Sequence, residues 1–437
     1  MPKVTAIACA VMGFLLTSAV GCRSPQPQGA EVVPPLKERP ASYSPAPRTF
    51  ALCADGLPTS GMWKCDPVFA DVNGDGYVDL AALPRLGRGP YVWLGDGHGA
   101  WTESSEGLDP GDFSCGGGLG LADLNGDGYL DLAVADHCRG LYTYLGDGAG
   151  HWNMVTRALY PQDLVPKEPK TTMFVGAEDI AVGDVNSDGF LDLVAGGSDD
   201  GGINVYAGDG TGKNWTRLAG NGLPNTGWVP RVVLADVNDD GRLDLLASQH
   251  LGPRVWLNDG PDTWTPASAG LPTPTISGLY TGLAVGDVNE DGRLDLVIAN
   301  WVDGPEVYLQ QADGAWSKTA DVFPEMKGGA IGLDVGDLDR DGHLDIVVSG
   351  RLNNDAGYVR GVFWLRGDGA AGWDYVRGSG LPDTGLSSTT GVALADVNGD
   401  GMLDIAAGSG LIVETVPGRT EPIIPQRLLL WCNIPPK

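Results

Sequence analysis

An all-β fold built from repeated units is what the sequence predicts, and three observations predict it. Glycine, at 67, and proline, at 31, make up more than a fifth of the 437 residues, a balance that favours short strands and tight turns over helices. No long stretch carries apolar residues at the three- and four-residue spacing of a buried helix face. The motif D-x-[ND]-x-D-G-x-x-D occurs seven times, starting at Asp71, Asp123, Asp184, Asp236, Asp287, Asp337 and Asp396, at intervals of 52, 61, 52, 51, 50 and 59 residues. A period near 50 suits one four-stranded blade of a propeller.

The first 22 residues read as a separate unit. Lys3 supplies a thin positive start, Val4 to Val20 is apolar, and Ala19-Val20-Gly21-Cys22 closes the segment. This resembles a bacterial lipoprotein signal, in which Cys22 is lipidated and becomes the new N-terminus, although Ala19 stands where that pattern usually has Leu. The resemblance implies an exported protein of the cell envelope, lipid-anchored to a bacterial membrane and facing the periplasm or the exterior. Contact with the membrane is then through the anchor alone. Residues 23–47 hold seven prolines and no apolar periodicity, and read as an extended, disordered tether. The propeller is expected over 48–437.

Each repeat has the same parts. After the Asp-rich loop comes an apolar strand, then an aromatic-rich one: YVWL at 91, YTYL at 142, NVYA at 204, RVWL at 254, EVYL at 306, VFWL at 362 and LLLW at 428. Most of these run into a Gly-Asp-Gly hairpin signal. A tryptophan then marks a fourth strand, at Trp101, Trp152, Trp215, Trp264, Trp316 and Trp373, and Gly-Leu-Pro or a variant leads onward. That series has six members for seven repeats. The missing strand lies at the front, where Phe50-Ala51-Leu52 and Gly56-Leu57-Pro58 align with Trp264-Thr265-Pro266 and Gly270-Leu271-Pro272. The expectation is a seven-bladed β-propeller closed by an N-terminal strand that completes the last blade, which removes a bare sheet edge.

Export makes the cysteines disulfide candidates. With Cys9 removed and Cys22 lipidated, Cys53, Cys65, Cys115, Cys138 and Cys432 remain. Cys115 lies eight residues before Asp123 and Cys138 seven after Asp131, so antiparallel strands flanking the second loop would set them opposite each other. Closing that span stabilises by about 3 kcal/mol in the chain-entropy model. Cys53–Cys65 is the second expected pair, with Cys432 a competitor for either.

Carboxylates clustered this densely need a neutraliser, and a hard divalent cation with oxygen ligands at alternate positions fits Ca²⁺ better than the water-retaining Mg²⁺. The first site would comprise Asp71, Asn73, Asp75 and Asp79 with the Tyr77 carbonyl, and Gly76 for the sharp turn. The others follow as Asp123, Asn125, Asp127, Tyr129 and Asp131; Asp184, Asn186, Asp188, Phe190 and Asp192; Asp236, Asn238, Asp240, Arg242 and Asp244. The last three are Asp287, Asn289, Asp291, Arg293 and Asp295; Asp337, Asp339, Asp341, His343 and Asp345; Asp396, Asn398, Asp400, Met402 and Asp404. An EF-hand would need Glu at its twelfth position, where Ala82 and Val134 stand inside apolar strands. Seven structural Ca²⁺ would move the formal charge from -28 to -14.

Over roughly residues 48 to 432 the seven loops in register resemble the FG-GAP and VCBS repeat family, whose calcium loops occur in β-propellers such as the integrin α-subunit head. The literal Phe-Gly and Gly-Ala-Pro signatures are largely absent, so the likeness is to the broader calcium-repeat group.

Several functions are excluded or left without support. A charge of -28 and a pI near 4.3 leave no basic patch for nucleic acid. The histidines fall in different repeats without zinc spacing, and no nucleophile elbow, phosphate loop or Cys-x-x-Cys is present. The repeats diverge in the loops joining second to third strands, on the face away from the Asp-rich hairpins: Arg85, His137, Arg139, His250, Trp301 and Arg351 are the candidate ligand residues. The reading is a surface-tethered recognition, adhesion or assembly module for a protein or a carbohydrate. The alternative is a lectin or a lyase-like carbohydrate-active enzyme on the same scaffold.

Overall fold

The computed structural model describes residues 48–435, apart from 110, 112–113, 160–175, 250, 274–279, 321, 323–328, 355–356, 383–385, 387–388 and 411–426. The signal, the tether, Cys22 and His250 lie outside the described residues.

Seven four-stranded antiparallel sheets form the ring. Blade 1 is Val68–Ala70, Asp79–Ala82, Tyr91–Gly95 and Trp101–Glu103, paired in sequence order from the axis outward. Blades 2 to 6 repeat that order. Blade 7 takes Thr389–Ala395, Asp404–Ser409 and Leu428–Ile434 from the end of the chain, and Thr49–Leu52 from its start. Thr49 pairs with Ile434 and Leu52 with Trp431. Phe50 is buried and meets Trp364 edge-on at 5.9 Å.

The core lies between blades, because a sheet apolar on both faces must bury each against a neighbour. One cluster joins Val297 and Val307 of blade 5 to Leu333 and Ile346 of blade 6. Another joins Val347 and Trp364 of blade 6 to Ile405 and Trp431 of blade 7. Four of the outer tryptophans, Trp101, Trp152, Trp215 and Trp316, staple their blade to the one before it. Trp152 Nε1 donates to Ser104 O at 2.9 Å, and Trp316 Nε1 to Ala267 O at 2.8 Å.

Cys115 and Cys138 form a disulfide, with Cα atoms 5.7 Å apart. The other expectation is corrected. Cys53 pairs with Cys432, and Cys65 is a free, buried thiol, accepting the Leu83 N–H at 3.2 Å. The strand pairing that sets Ala51 opposite Cys432 brings Cys53 to that cysteine and carries it away from Cys65, on the inner side of blade 1.

Candidate functional site: seven acidic loops and an axial cavity

The Asp-rich loops join first to second strands, all on one face. Each is folded by its own side chains. In the first copy Asp71 Oδ1 accepts the Asp75 N–H at 3.1 Å, Asp71 Oδ2 the Gly76 N–H at 2.9 Å, and Asp75 Oδ1 the Tyr77 N–H at 2.9 Å. The same three bonds recur in every copy, for example around Asp184, Asp236 and Asp396. The fourth residue is left-handed throughout, as glycine at Gly74, Gly126 and Gly399 but as Ser187, Asp239, Glu290 and Arg340 elsewhere.

The ninth-position aspartates are fully buried. Asp79 accepts the Val72 N–H at 2.8 Å and the Gly95 N–H at 2.8 Å, tying the loop to the end of the third strand. Asp345 does the same with Leu338 and Gly367. Burial pushes these carboxyls up, to about 6 at Asp79 and about 8 at Asp345.

The donors are all oxygen, as a hard cation requires. In the sixth copy carboxylate oxygens of Asp337, Asp339 and Asp345 lie within 4.8 Å of one another. In four of the six copies with asparagine at the third position its amide N–H₂ turns onto the fifth-position carboxylate, as in Asn73 to Asp75 at 2.9 Å, whereas Asn186 turns onto the ninth-position Asp192 at 3.4 Å. Arg242 and Arg293 bring their own cations to Asp240, at 2.6 Å, and to Asp291. Neighbouring loops are linked by His343 with Glu290 and by Arg340 Nε with Gly401 O, the latter at 2.6 Å.

On the opposite face a cavity of about 690 Å³ lies on the axis of the ring. Its wall follows a rule in the repeat: the residues five and six places before the Asp-rich loop line it in six repeats, and the sixth-place residue alone in the second. These are Cys65 and Asp66, Gly117, Glu178 and Asp179, Pro230 and Arg231, Thr281 and Gly282, Ile331 and Gly332, Thr390 and Gly391. Four inner strands carry a β-bulge at this height, skipping Glu178, Thr281, Ile331 and the pair Thr390–Gly391. A bulge re-aims the residue it inserts, and every inserted residue lines the cavity.

Two charge clusters occupy the side built by blades 1 to 4. Glu178 receives Lys64 Nζ at 2.6 Å, Trp228 Nε1 at 2.8 Å and the His137 imidazole. Burial alone would raise its pKa, but Lys64 and His137 more than offset that and hold it at about 2. Arg231 bridges Asp66 and Asp179, the latter at 3.7 Å. Asp179 Oδ2 also accepts the Val232 N–H at 2.9 Å.

Of the expected ligand residues, Arg85, His137 and Trp301 line this cavity. Arg139 lies in the same turn as His137. Arg351 stands on a ladder rather than in a loop, because the second and third strands of blade 6 run on to Asn354 and from Gly357; its guanidinium lies 5.9 Å over the Trp301 ring. Lys64, Asp66, Glu178, Asp179, Trp228 and Arg231 were missed from sequence. The signal was present: five residues before the loop, four repeats have glycine and three have Asp66, Asp179 and Arg231.

A model described as "FG-GAP-like repeat" matches residues 71–134, 123–195, 184–247, 236–298 and 287–348. No curated protein matches the chain. Among solved structures, BBS1N in complex with ARL6DN, soaked with mercury, is 12% identical over 89% of this chain and 97% of that chain, with TM-score 0.53. The lead-soaked form of that complex has the same identity and coverage, with TM-score 0.51. These likenesses carry the fold alone. A lectin of Agrocybe aegerita that recognises non-reducing terminal N-acetylglucosamine is 17% identical over 75% of this chain and 84% of that chain. Its TM-score, 0.45, is too low to carry an argument.

Proposed function

Because the chain belongs to the FG-GAP-like repeat family, we propose that it is a calcium-stiffened, surface-tethered recognition module. Its ligand enters the axial cavity on the face away from the acidic loops. The observation that carries this reading is the set of four bulges that turn extra residues into one cavity. A ring needing only to be a spacer has no use for them, and bulges concentrate where a side chain must be re-aimed beside a working site. BBS1N, a propeller of similar fold, was solved with a protein bound, which supports recognition as a use of the architecture.

Calcium supports the scaffold in this reading. Each loop crowds carboxylates into one turn, and the all-oxygen donor set suits the ion. The lipid anchor and export remain part of the proposal through the Cys22 segment. Thr49 pairs with Ile434 at the acidic-loop end of blade 7, which supports attachment of the disc from that face, away from the cavity.

Glu178 is committed to three donors and held ionised far below neutral pH, which suits binding better than proton transfer near pH 7. Asp179, which burial pushes up to about 7, is the group on which an enzymatic reading would have to rest. The deciding experiment is a glycan and cell-surface binding screen with and without calcium. Saturable binding weakened by Trp301→Ala supports recognition through the cavity. Product formation abolished by Asp179→Asn establishes the enzyme instead.

A further inference from the structure

The cavity has two unlike walls. Blades 1 to 4 contribute ion pairs, whereas blades 5 to 7 contribute Thr281, Ile331, Leu333 and Thr390 together with bare backbone at glycines. The two tryptophans that line it are Trp228 and Trp301. Trp228 is oriented by its bond to Glu178, and Trp301 by the Arg351 guanidinium over one face of its ring.

Most of the charge is already paired: Asp66, Glu178 and Asp179 meet Lys64, Arg231 and His137, while Arg85 has no ion pair among the described residues. Lys64 and His137 are spent on Glu178, and Arg231 on Asp66 and Asp179. A charged ligand seated among these clusters would have to break one of the pairs, and stripping a buried ion of its partner is strongly unfavourable. The field of a chain at -28 also opposes anionic polymers. A neutral hydroxyl-rich ligand breaks nothing, because a paired carboxylate keeps lone pairs and a paired guanidinium keeps N–H donors. Its apolar ring face has indoles to lie on, since tryptophan joins a large apolar body to a polar edge. The volume, about 690 Å³, falls within the ~300–1,000 Å³ range of sites that enclose a small ligand.

We infer that the axial cavity takes a neutral oligosaccharide, its ring faces against Trp228 and Trp301 and its hydroxyls on Glu178, Arg231 and Thr281. This rests on the cavity being the ligand site.

The test is calorimetric titration of the full chain, in calcium, with maltotriose, cellotriose, xylotriose and chitotriose against trigalacturonate as the anionic probe. At least one neutral trisaccharide binds saturably, and Trp301→Ala weakens it by about tenfold or more with melting unchanged. Trp301→Phe, which keeps an aromatic face, retains part of the affinity and covers the case in which the alanine variant folds poorly. No neutral binding up to millimolar concentration overturns the inference. Binding of trigalacturonate alone, or of a protein alone, lost on Trp301→Ala, overturns the ligand class and leaves the cavity as the recognition site. Neutral binding indifferent to Trp301 but lost on Tyr129→Ala or Phe190→Ala, exposed aromatics of the acidic-loop face, overturns both.

Discussion

Cys53 is bonded to Cys432 across 379 residues of sequence, so one covalent link joins the first strand of the fold to the last. The same closure is written in backbone. A Cβ on Gly380 would lie 2.2 Å from Phe50 O, as one on Gly56 would lie 2.0 Å from Trp101 O; Phe50 therefore takes the place of an outer-strand tryptophan. In the chain-entropy model a loop this long contributes about 6 kcal/mol. Cys53→Ser is expected to lower the unfolding free energy, read from denaturant titration, by about 2–5 kcal/mol, and deletion of 48–58 to bare the edge of Leu428–Ile434 and cause association. Equal stability of the deletion variant as a monomer would show that the ring closes without Phe50.

Calcium removal is expected to lower the melting temperature substantially. A site of ~0.1 mM affinity contributes about 1.4 kcal/mol at ~1 mM free ion, and seven such loops together approach the net stability of an ordinary domain. Asp236→Ala removes the carboxylate that holds the Asp240 and Gly241 N–H groups, and should weaken blade 4 without abolishing the fold. Calorimetry with chelator, combined with metal analysis of the purified protein, checks both. Unchanged melting and no bound calcium would remove the ion from the account.

Ser187 stands in the left-handed region with φ of 60°, where Gly74, Gly126 and Gly399 occupy the corresponding place. A side chain there costs about 1–2 kcal/mol, against ~0.4–1 kcal/mol for the freedom glycine adds to the unfolded chain. Ser187→Gly should therefore stabilise by about 0.5 kcal/mol in urea unfolding. A loss of similar size would mean that the Ser187 hydroxyl supports the loop.

The ring was legible in sequence because its determinants are local and recur: an aspartate pattern, an aromatic strand, a tryptophan and a Gly-Leu-Pro turn, each at the same offset. Phe50 could be placed by the same offsets. The cavity was harder to read because its residues matter by departing from the pattern. Asp66, Asp179 and Arg231 stand where other repeats keep glycine, and they meet only because blades 1, 3 and 4 face one axis. Space for them is made by neighbours. A Cβ on Gly118 would come within 2.1 Å of Asp179 Oδ1, and one on Gly391 within 1.9 Å of Asp66 Oδ1. The Cys53–Cys65 expectation failed on the same ground, since nearness in sequence ignored the strand pairing that carries Cys53 to the far edge of blade 7.

Glu178 supplies the last prediction, a pH dependence with a definite sign. Lys64, His137 and Trp228 face the carboxylate, Asp179 adjoins it, and its pKa falls from an ordinary 4.5 to about 2 on folding. A depressed carboxyl adds stability above its unfolded pKa, and that stability is lost as pH falls through the folded value. At pH 7 the contribution is on the order of 3 kcal/mol; it begins to shrink near pH 4.5 and is gone below about 2. Glu178→Gln keeps an oxygen acceptor but leaves Lys64 without its counter-charge, so the variant should be less stable than the parent at neutral pH by that amount. The difference should narrow steadily between pH 4.5 and pH 3, measured by guanidinium unfolding of both proteins at fixed calcium. Comparing the two at each pH cancels the acid sensitivity of the seven loops, which they share. A gap independent of pH would mean that Glu178 acts through packing and hydrogen bonding, and that its charge does not matter.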